Sequence, residues 1–346
     1  MSADAWAAEA DSRTAPDLLA WAQDLVDPAL RSALDELPAS VRGVAAYHFG
    51  WCDEQLRPTG QRSGKAVRPL LTLLSAAALG GPAAAALPAA TAVELVHNFS
   101  LLHDDVMDGD ERRRHRPTAW RVFGTGPALL AGNALLTQAA VVLGDGASAV
   151  DQQRMLADTV LQLLDGQAAD LDFEHRLSVS PDEYLTMAEK KTGALLGCSC
   201  GLGAVGVGAD PITVGRLVRF GRLLGLIFQI VDDLLGIWGD PAVTGKPVHS
   251  DLRRRKKSLP VVLALGSRFT GADELADLYH GDRPLSDAEL ARAAYLIDES
   301  GAREWSRLRA DVLRGQAEAQ LTSAAVSGPG AAGLRTLADH LTRRTR

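Results

Sequence analysis

Helical periodicity of apolar residues runs from about Asp17 to Arg343, broken by short Gly/Pro stretches at RPTG, GGP, GTGP, GAD and SGPG. Breaks this brief leave no linker between domains, and long alternating Val/Ile/Thr runs that would build a sheet are missing. The pattern therefore predicts an all-α fold: a single domain over residues 17–346, made of ten or more antiparallel helices. With 346 residues, 47% of them hydrophobic, the chain is long enough to bury a large core. Residues 1–16 are acidic and lack the basic start and apolar middle of a secretory signal, so they read as a disordered arm.

The formal charge of -7 argues against a general nucleic-acid binder, and none is expected as a partner. Cys52, Cys198 and Cys200 are odd in number and lack metal-ligand spacing, which predicts reduced thiols and a cytoplasmic location. Three uncharged windows, residues 69–93, 122–144 and 192–209, are long enough to raise the question of a membrane span. Their Gly/Ala content and Pro69, Pro82 and Pro88 in the first favour helices buried inside a bundle, with no stable span.

One short theme recurs. Asp104-Asp105 and Asp232-Asp233 each close an apolar helix, and each is followed by basic residues. Pro88 suits the first turn of a helix reaching about Asp108, on which His97, Leu101, Asp104 and Asp108 fall in one stripe, with Asp105 one step around. Asp104 and Asp108 can aim two carboxylates at one point, a way for a helix to hold a hard cation such as Mg2+. Acids near a helix C-terminus oppose the macrodipole, so something positive is expected beside them. In GLIFQIVDDLLGIWGD, Gln229, Asp232 and Asp233 project from adjacent faces of an otherwise apolar helix; if buried, such acids must be paired, protonated or metal-bound. A third set, Gln167, Asp170 and Glu174, shares one face, although a solvated polar face would look the same.

Cations flank these acids: Lys65 and Arg68 in GKAVRP, Arg113 and Arg114 in RRRHRPT, Lys191 beside Thr192 in EKKTG, and Lys246 and Lys256 in GKPVHSDLRRRKKSLP. A divalent ion can bridge carboxylates to phosphate while guanidinium and ammonium groups hold the remaining oxygens, and two basic sets suggest two phosphorylated ligands. Gly64-Lys65 and Gly245-Lys246 lack the spacing of a Walker loop, so ATP chemistry is not indicated.

These motifs, from about Gly64 to Pro260, resemble those of the trans-isoprenyl diphosphate synthases, or polyprenyl synthetases: GKAVRP, ELVHNFSLLHDD, DDVMD followed by Arg113-Arg114, GQAAD, KTG, FQIVDDLLGIWGD and GKP. The resemblance implies an all-α bundle of the isoprenoid synthase type around a deep apolar cavity, and condensation of isopentenyl diphosphate with allylic diphosphates. It implies three Mg2+ ions on the allylic diphosphate, held by Asp104, Asp108 and Asp232, with Asp105, Asp170 and Asp233 as further metal-binding acids. Arg113, Lys191, Lys246 and Lys256 would hold diphosphate oxygens. Lys65, Arg68, His97 and Arg114 would hold isopentenyl diphosphate, Thr192 and Gln229 would orient the reacting carbons, and a homodimer is implied.

In that family, residues just before the first acidic motif floor the cavity in which the tail grows. Phe99 lies five residues before Asp104, roughly 7.5 Å along a helix, and the small Ser100 four before, an arrangement that looks like the geranylgeranyl (C20) subgroup, with farnesyl diphosphate next. Four positions depart from the family pattern: Gly236 replaces the last acid of the second motif, Ala66 an arginine, and His115 and Arg255 glycines. The departures keep open a specialised paralogue, such as a catalytically silent one acting as an interaction or cargo protein; a terpene cyclase of related helical fold is a further alternative, against which intact Lys65, Arg68, His97 and Arg114 count.

Overall fold

The structure, a computed structural model, describes residues 13–61, 64–144, 148–241, 247–281 and 283–343. Within these the helices are α1 (Ala15–Asp35), α2 (Ala39–Phe49), α3 (Val67–Ala78), α4 (Leu87–Met107), α5 (Ala119–Phe123), α6 (Thr125–Val142), α7 (Ala149–His175) and α8 (Pro181–Ala188). They continue as α9 (Ala194–Gly206), α10 (Pro211–Trp238), α11 (Ser250–Arg253), α12 (Leu259–Leu265), α13 (Ala272–His280), α14 (Asp287–Glu299), α15 (Ala302–Ser323) and α16 (Gly328–Arg343). A π-helical turn, Glu189–Gly193, joins α8 to α9, and a two-residue hairpin, β1 (Arg112–Arg113) with β2 (Arg116–Pro117), follows α4. The all-α expectation is met.

Local chemistry sets where helices begin. The Thr14 amide and hydroxyl both donate to Asp17, at 3.0 and 2.6 Å, and Pro16 lies in the first turn of α1. Ser180 with Glu183 and Ser286 with Glu289 form the same reciprocal cap at α8 and α14. Helix α1 opens two residues before the expected end of the N-terminal arm; residues 1–12 lie outside the described part.

The chain divides into two compact units. The first comprises the described parts of Met1–Val160, Cys198–Val218 and Leu321–Thr336, and the second those of Leu161–Gly197, Arg219–Gln320 and Leu337–Arg346. In the first unit α4 packs along α6 and against α3 and α1, burying Leu70, Leu74, Leu95, Leu102 and Leu18 completely. Each such side chain contributes about 1.5–3 kcal/mol of transfer free energy. In the second unit Ile237, Leu252, Val261, Leu275, Tyr279, Leu290 and Ile297 form the core around the C-terminal end of α10. Cys52, Cys198 and Cys200 are buried free thiols, and burial pushes Cys200 up to about 12.

Two helical stretches, Ala83–Met107 and Thr125–Val142, are apolar and long enough to cross a membrane by length and composition. They differ in cover. The most apolar 18 residues of the first are 67% buried, whereas the second is only 28% buried, against the expectation of a buried helix over residues 122–144. Leu130 and Val141 of α6 are exposed, because α4 and α2 cover only one side of it.

Candidate active site

At the end of α4 the two adjacent aspartates part ways. Asp104 is half-buried, and its carbonyl accepts the Asp108 N–H at 2.8 Å, which leaves Asp108 exposed as the C-cap. Asp105, 1% exposed, turns inward, and its Oδ1 accepts both Nε and Nη2 of Arg113 at 2.7 Å. Oδ2 of Asp105 is buried without a hydrogen-bond partner. Burial pushes the Asp105 carboxyl up to about 6, with Arg113 pulling it down. The hairpin that delivers Arg113 turns through Arg114 and His115, both with positive φ, 49° and 64°. His115 thus holds a backbone conformation that glycine adopts without strain, at a cost of roughly 1–2 kcal/mol.

Behind the hairpin lies a small basic pocket of about 80 Å³, lined by His48, Gln61, Asp105, Arg113, Arg114 and Arg116 among others. Beside Arg114 sits Glu94, a buried acid whose Oε1 accepts Asn98 Nδ2 at 3.3 Å. Burial raises the Glu94 carboxyl, against the pull of Arg68 and Arg114. Burial also lowers Arg68 to about 10, and its Nε is buried without a partner. His97 is held well below the usual histidine range, first by burial and then by Arg68, Arg114, Arg113 and His48. Lys65 is exposed just ahead of Ala66, which caps α3 with a left-handed φ of 52°.

His48 gives this pocket a pH signature. Burial, then Arg113 and Arg114, lower it to about 3, with an Asn98 hydrogen bond opposing and Arg116 adding to the depression. Because the folded value lies below the unfolded one of 6.5, the unfolded chain binds the proton first. Stability is therefore lost as pH falls from about 6.5 towards 3, at up to about 1.4 kcal/mol per pH unit for this group. Urea melts between pH 7 and 4 should show a shallower decline for His48→Asn than for the wild type; parallel curves would remove His48 as the cause.

The second unit carries the other acidic motif. Asp233 is fully buried: Oδ1 accepts Gln229 Nε2 at 3.0 Å, while Oδ2 accepts the Leu259 N–H at 2.8 Å and the Tyr184 hydroxyl. Gln229 in turn accepts the Thr192 hydroxyl at 2.9 Å, so Asp233, Gln229 and Thr192 form one chain of hydrogen bonds. Thr192 and Lys191 stand on the π-helical turn, where the extra residue re-aims side chains. Asp233, expected in the acidic set at the metal, has both oxygens engaged within the protein. Asp232, its neighbour on α10, is half-buried. Burial pushes Asp233 up to about 6, opposed by Lys256 at 3.6 Å. Burial favours the neutral Lys256, but Asp233, Asp251, Asp232 and Asp170 outweigh it and keep the amine cationic.

Among the described residues, three of the cations expected to hold diphosphate oxygens rest on acids. Arg113 pairs with Asp105, Lys191 with Asp170, and Lys256 with Asp233. Gln167, 4% exposed, has both amide atoms buried without a partner, one turn from Asp170. Lys246 lies outside the described residues. No group of three or more His, Cys, Asp or Glu able to hold a metal occurs among the described residues. Magnesium commonly takes one or two carboxylates and completes its shell with substrate phosphates and water, so oxygen donors of this kind fit it as a shared ion.

Phe99 is buried with its ring 4.7 Å from that of His103, and the Ser100 hydroxyl donates to the His97 carbonyl at 2.9 Å. His103 seats against Gly132, where a Cβ would lie 2.5 Å from the imidazole. Neither residue lines the basic pocket. Sequence reasoning missed Glu94, Asn98, His48, Tyr184 and Asp251. For Glu94 a signal existed: an acid in an apolar run, three before His97. Nothing in AAYHFGW marks His48, and Asp251 is obscured by the basic run after it.

The polyprenyl synthetase family matches residues 50–297. A (2E,6E)-farnesyl diphosphate synthase from Mycobacterium bovis is 47% identical over 307 residues, covering 86% of this chain and 84% of its own. A geranylgeranyl diphosphate synthase from Mycobacterium tuberculosis is 48% identical over 277 residues, covering 79% of each. The crystal structure of a polyprenyl synthetase from Streptomyces coelicolor A3(2) superimposes with a TM-score of 0.90 at 46% identity, over 94% of this chain and 98% of that one.

Proposed function

The chain belongs to the polyprenyl synthetase family and is a prenyltransferase, and from that premise we propose that it uses magnesium to condense isopentenyl diphosphate with allylic diphosphates, ending at geranylgeranyl diphosphate. The observation that carries the reading is the pairing of its cations with the acids of its motifs. Such a set is electrically balanced without ligand and can exchange acid for diphosphate when substrate arrives.

Asp104, Asp108 and Asp232 are assigned to magnesium and, through it, to the allylic diphosphate. When bound, magnesium neutralises charge on the departing pyrophosphate. Arg113, Lys191, Lys246 and Lys256 take its remaining oxygens, stabilising charge that forms as the allylic C–O bond breaks. Arg68, Arg114, His97 and Lys65 hold isopentenyl diphosphate, so that its double bond forms the new C–C bond; a proton is then lost and pyrophosphate leaves. Thr192 and Gln229, tied to Asp233, orient the reacting carbons.

Phe99 and Ser100 support a C20 product, and the Phe99–His103 contact stiffens the floor assigned to Phe99. Farnesyl diphosphate is the second reading, supported by the 47% identity to the Mycobacterium bovis protein of that activity. Incubation with Mg2+ and either farnesyl diphosphate or a shorter allylic diphosphate, with and without isopentenyl diphosphate, and mass analysis of products separates these. A C20 diphosphate supports the first reading. Farnesyl diphosphate formed from shorter primers but not extended supports the second. A hydrocarbon made without isopentenyl diphosphate would mean a cyclase, and no turnover a silent paralogue. Phe99→Ala should shift products at least one C5 unit longer; an unchanged distribution would place the floor elsewhere. The uncovered apolar side of α6 supports a homodimer, and the buried free thiols support a cytoplasmic location.

A further inference from the structure

A single π-helical turn is a rare departure from helical regularity, and the one at Glu189–Gly193 is gripped by two neighbouring helices. On α7, Gln162, Gly166 and Asp170 recur every four residues and so share one face; on α10, Arg222, Gly225 and Gln229 do the same at spacings of three and four. The turn meets those two faces at three levels. At the first, Glu189 Oε1 accepts Arg222 Nη1 at 3.3 Å, and Arg222 Nη2 donates to Gln162 Oε1 at 2.5 Å. One guanidinium therefore ties the first residue of the turn to both helices. At the second level no side chain intervenes: a Cβ added to Gly166 would lie 2.4 Å from the Lys191 amide nitrogen, and one added to Gly225 2.4 Å from Gly193 Cα. At the third, Lys191 pairs with Asp170 on α7, while the Thr192 hydroxyl donates to Gln229 on α10 at 2.9 Å. Adjacent residues of the turn thus face different helices. The Arg222 and Glu189 side chains are 24% and 29% exposed, more sheltered than the surface pairs that contribute little.

We infer that Arg222, with Gln162 and Glu189, forms a clamp of positioning residues that holds the π-turn in register and so aims Lys191 and Thr192 at the allylic diphosphate and its reacting carbons. This rests on the prenyltransferase reading in one respect, that Lys191 and Thr192 serve that substrate. The glycines let backbones approach closely but offer no directional contact. The clamp supplies direction, because the planar guanidinium holds two acceptors at fixed angles. Relaxation of the turn towards α-helical hydrogen bonding would rotate Lys191 and Thr192 together, away from Asp170 and Gln229. Arg219 Nη1 also donates to Glu189 Oε1, at 3.0 Å, so Arg222 can be replaced without leaving that acid unpaired.

The test uses the full chain, with inorganic pyrophosphate and Mg2+ as probe. Arg222→Met should weaken calorimetric pyrophosphate binding by roughly 10–100-fold, the range for residues that orient a ligand-binding group. It should lower kcat while leaving KM for isopentenyl diphosphate within about twofold of the wild type. In a Lys191→Ala background the same change should alter pyrophosphate affinity by no more than about twofold, because the residue through which Arg222 acts is gone. A merely structural role predicts equal losses in both backgrounds. Undiminished pyrophosphate binding in folded Arg222→Met, or a loss as large with Lys191→Ala as without it, would overturn the assignment. If Arg222→Met does not fold, Gln162→Leu decides, since it cuts one arm of the clamp and leaves the ion pair. A loss of at least about threefold in pyrophosphate affinity, the worth of one hydrogen bond, supports the clamp, and wild-type affinity overturns it. A wild type that binds pyrophosphate without prenyl transfer would refute the function proposed above, and the binding comparison would still decide the clamp.

Discussion

Asp233→Ala is expected to destabilise the protein by about 3–5 kcal/mol, the cost of stranding a buried charge, and to lower kcat by at least ~100-fold. The carboxylate is fully buried and serves four groups: the Tyr184 hydroxyl, the Leu259 N–H, the Gln229 amide and the Lys256 ammonium. Truncation leaves the buried Tyr184 hydroxyl without its acceptor and Lys256 with Asp251 as its remaining ion-pair partner. It also cuts the chain that runs through Gln229 to Thr192. A loss of that size is a large share of the ~5–15 kcal/mol that keeps most domains folded. Asp233→Asn keeps the shape and one acceptor, so it should unfold at intermediate urea concentration while losing most of the catalytic effect, because the charge facing Lys256 is gone. Urea midpoints and steady-state kinetics measured on the two variants decide this. An alanine variant that melts like the wild type would show that the network is not holding the second unit together.

The same residues show what spacing can and cannot reveal. Asp104, Asp105, Asp232 and Asp233 were all visible as acids in apolar helices, and helical geometry correctly put members of each pair on different faces, although only Asp104 and Asp105 close theirs: α10 runs on past Asp233 to Trp238. It does not say which face is covered. That depends on packing partners far away in sequence, so Asp105 and Asp233, which turned out to be the inward members, could not be told from Asp104 and Asp232. The helix from Pro88 to Asp108 was legible because proline and the apolar stripe agree about its ends. The hairpin was not: its turn uses Arg114 and His115 at positive φ, and no glycine announces that conformation. Arg255 hides in the same way, at a φ of 50°, stapled by its Nη2 to the Arg283 carbonyl at 2.5 Å. Composition likewise misled on α6, since an uncharged helix looks the same whether its neighbours cover it or leave one side open.

Glu94 shows how a balanced site prepares for an anion. It is buried with Arg68 and Arg114 as its opposite charges, and each side depends on the other: without the acid, both guanidiniums lose a counter-charge in a poorly hydrated place. Glu94→Ala should therefore cost about 3–5 kcal/mol in ligand-free protein. Glu94→Gln, which keeps the Asn98 contact in reach, should cost less. An incoming diphosphate supplies the missing negative charge and no longer competes with the carboxylate for the arginines. Pyrophosphate should accordingly stabilise Glu94→Gln more than the wild type; a tenfold gain in affinity would add about 1.4 kcal/mol at saturating ligand. Thermal melts with and without pyrophosphate, run without magnesium so that the basic pocket is probed by itself, measure that difference directly. Equal upshifts in the two proteins would mean that Glu94 is an ordinary buried acid and that the arginines are neutralised by something else.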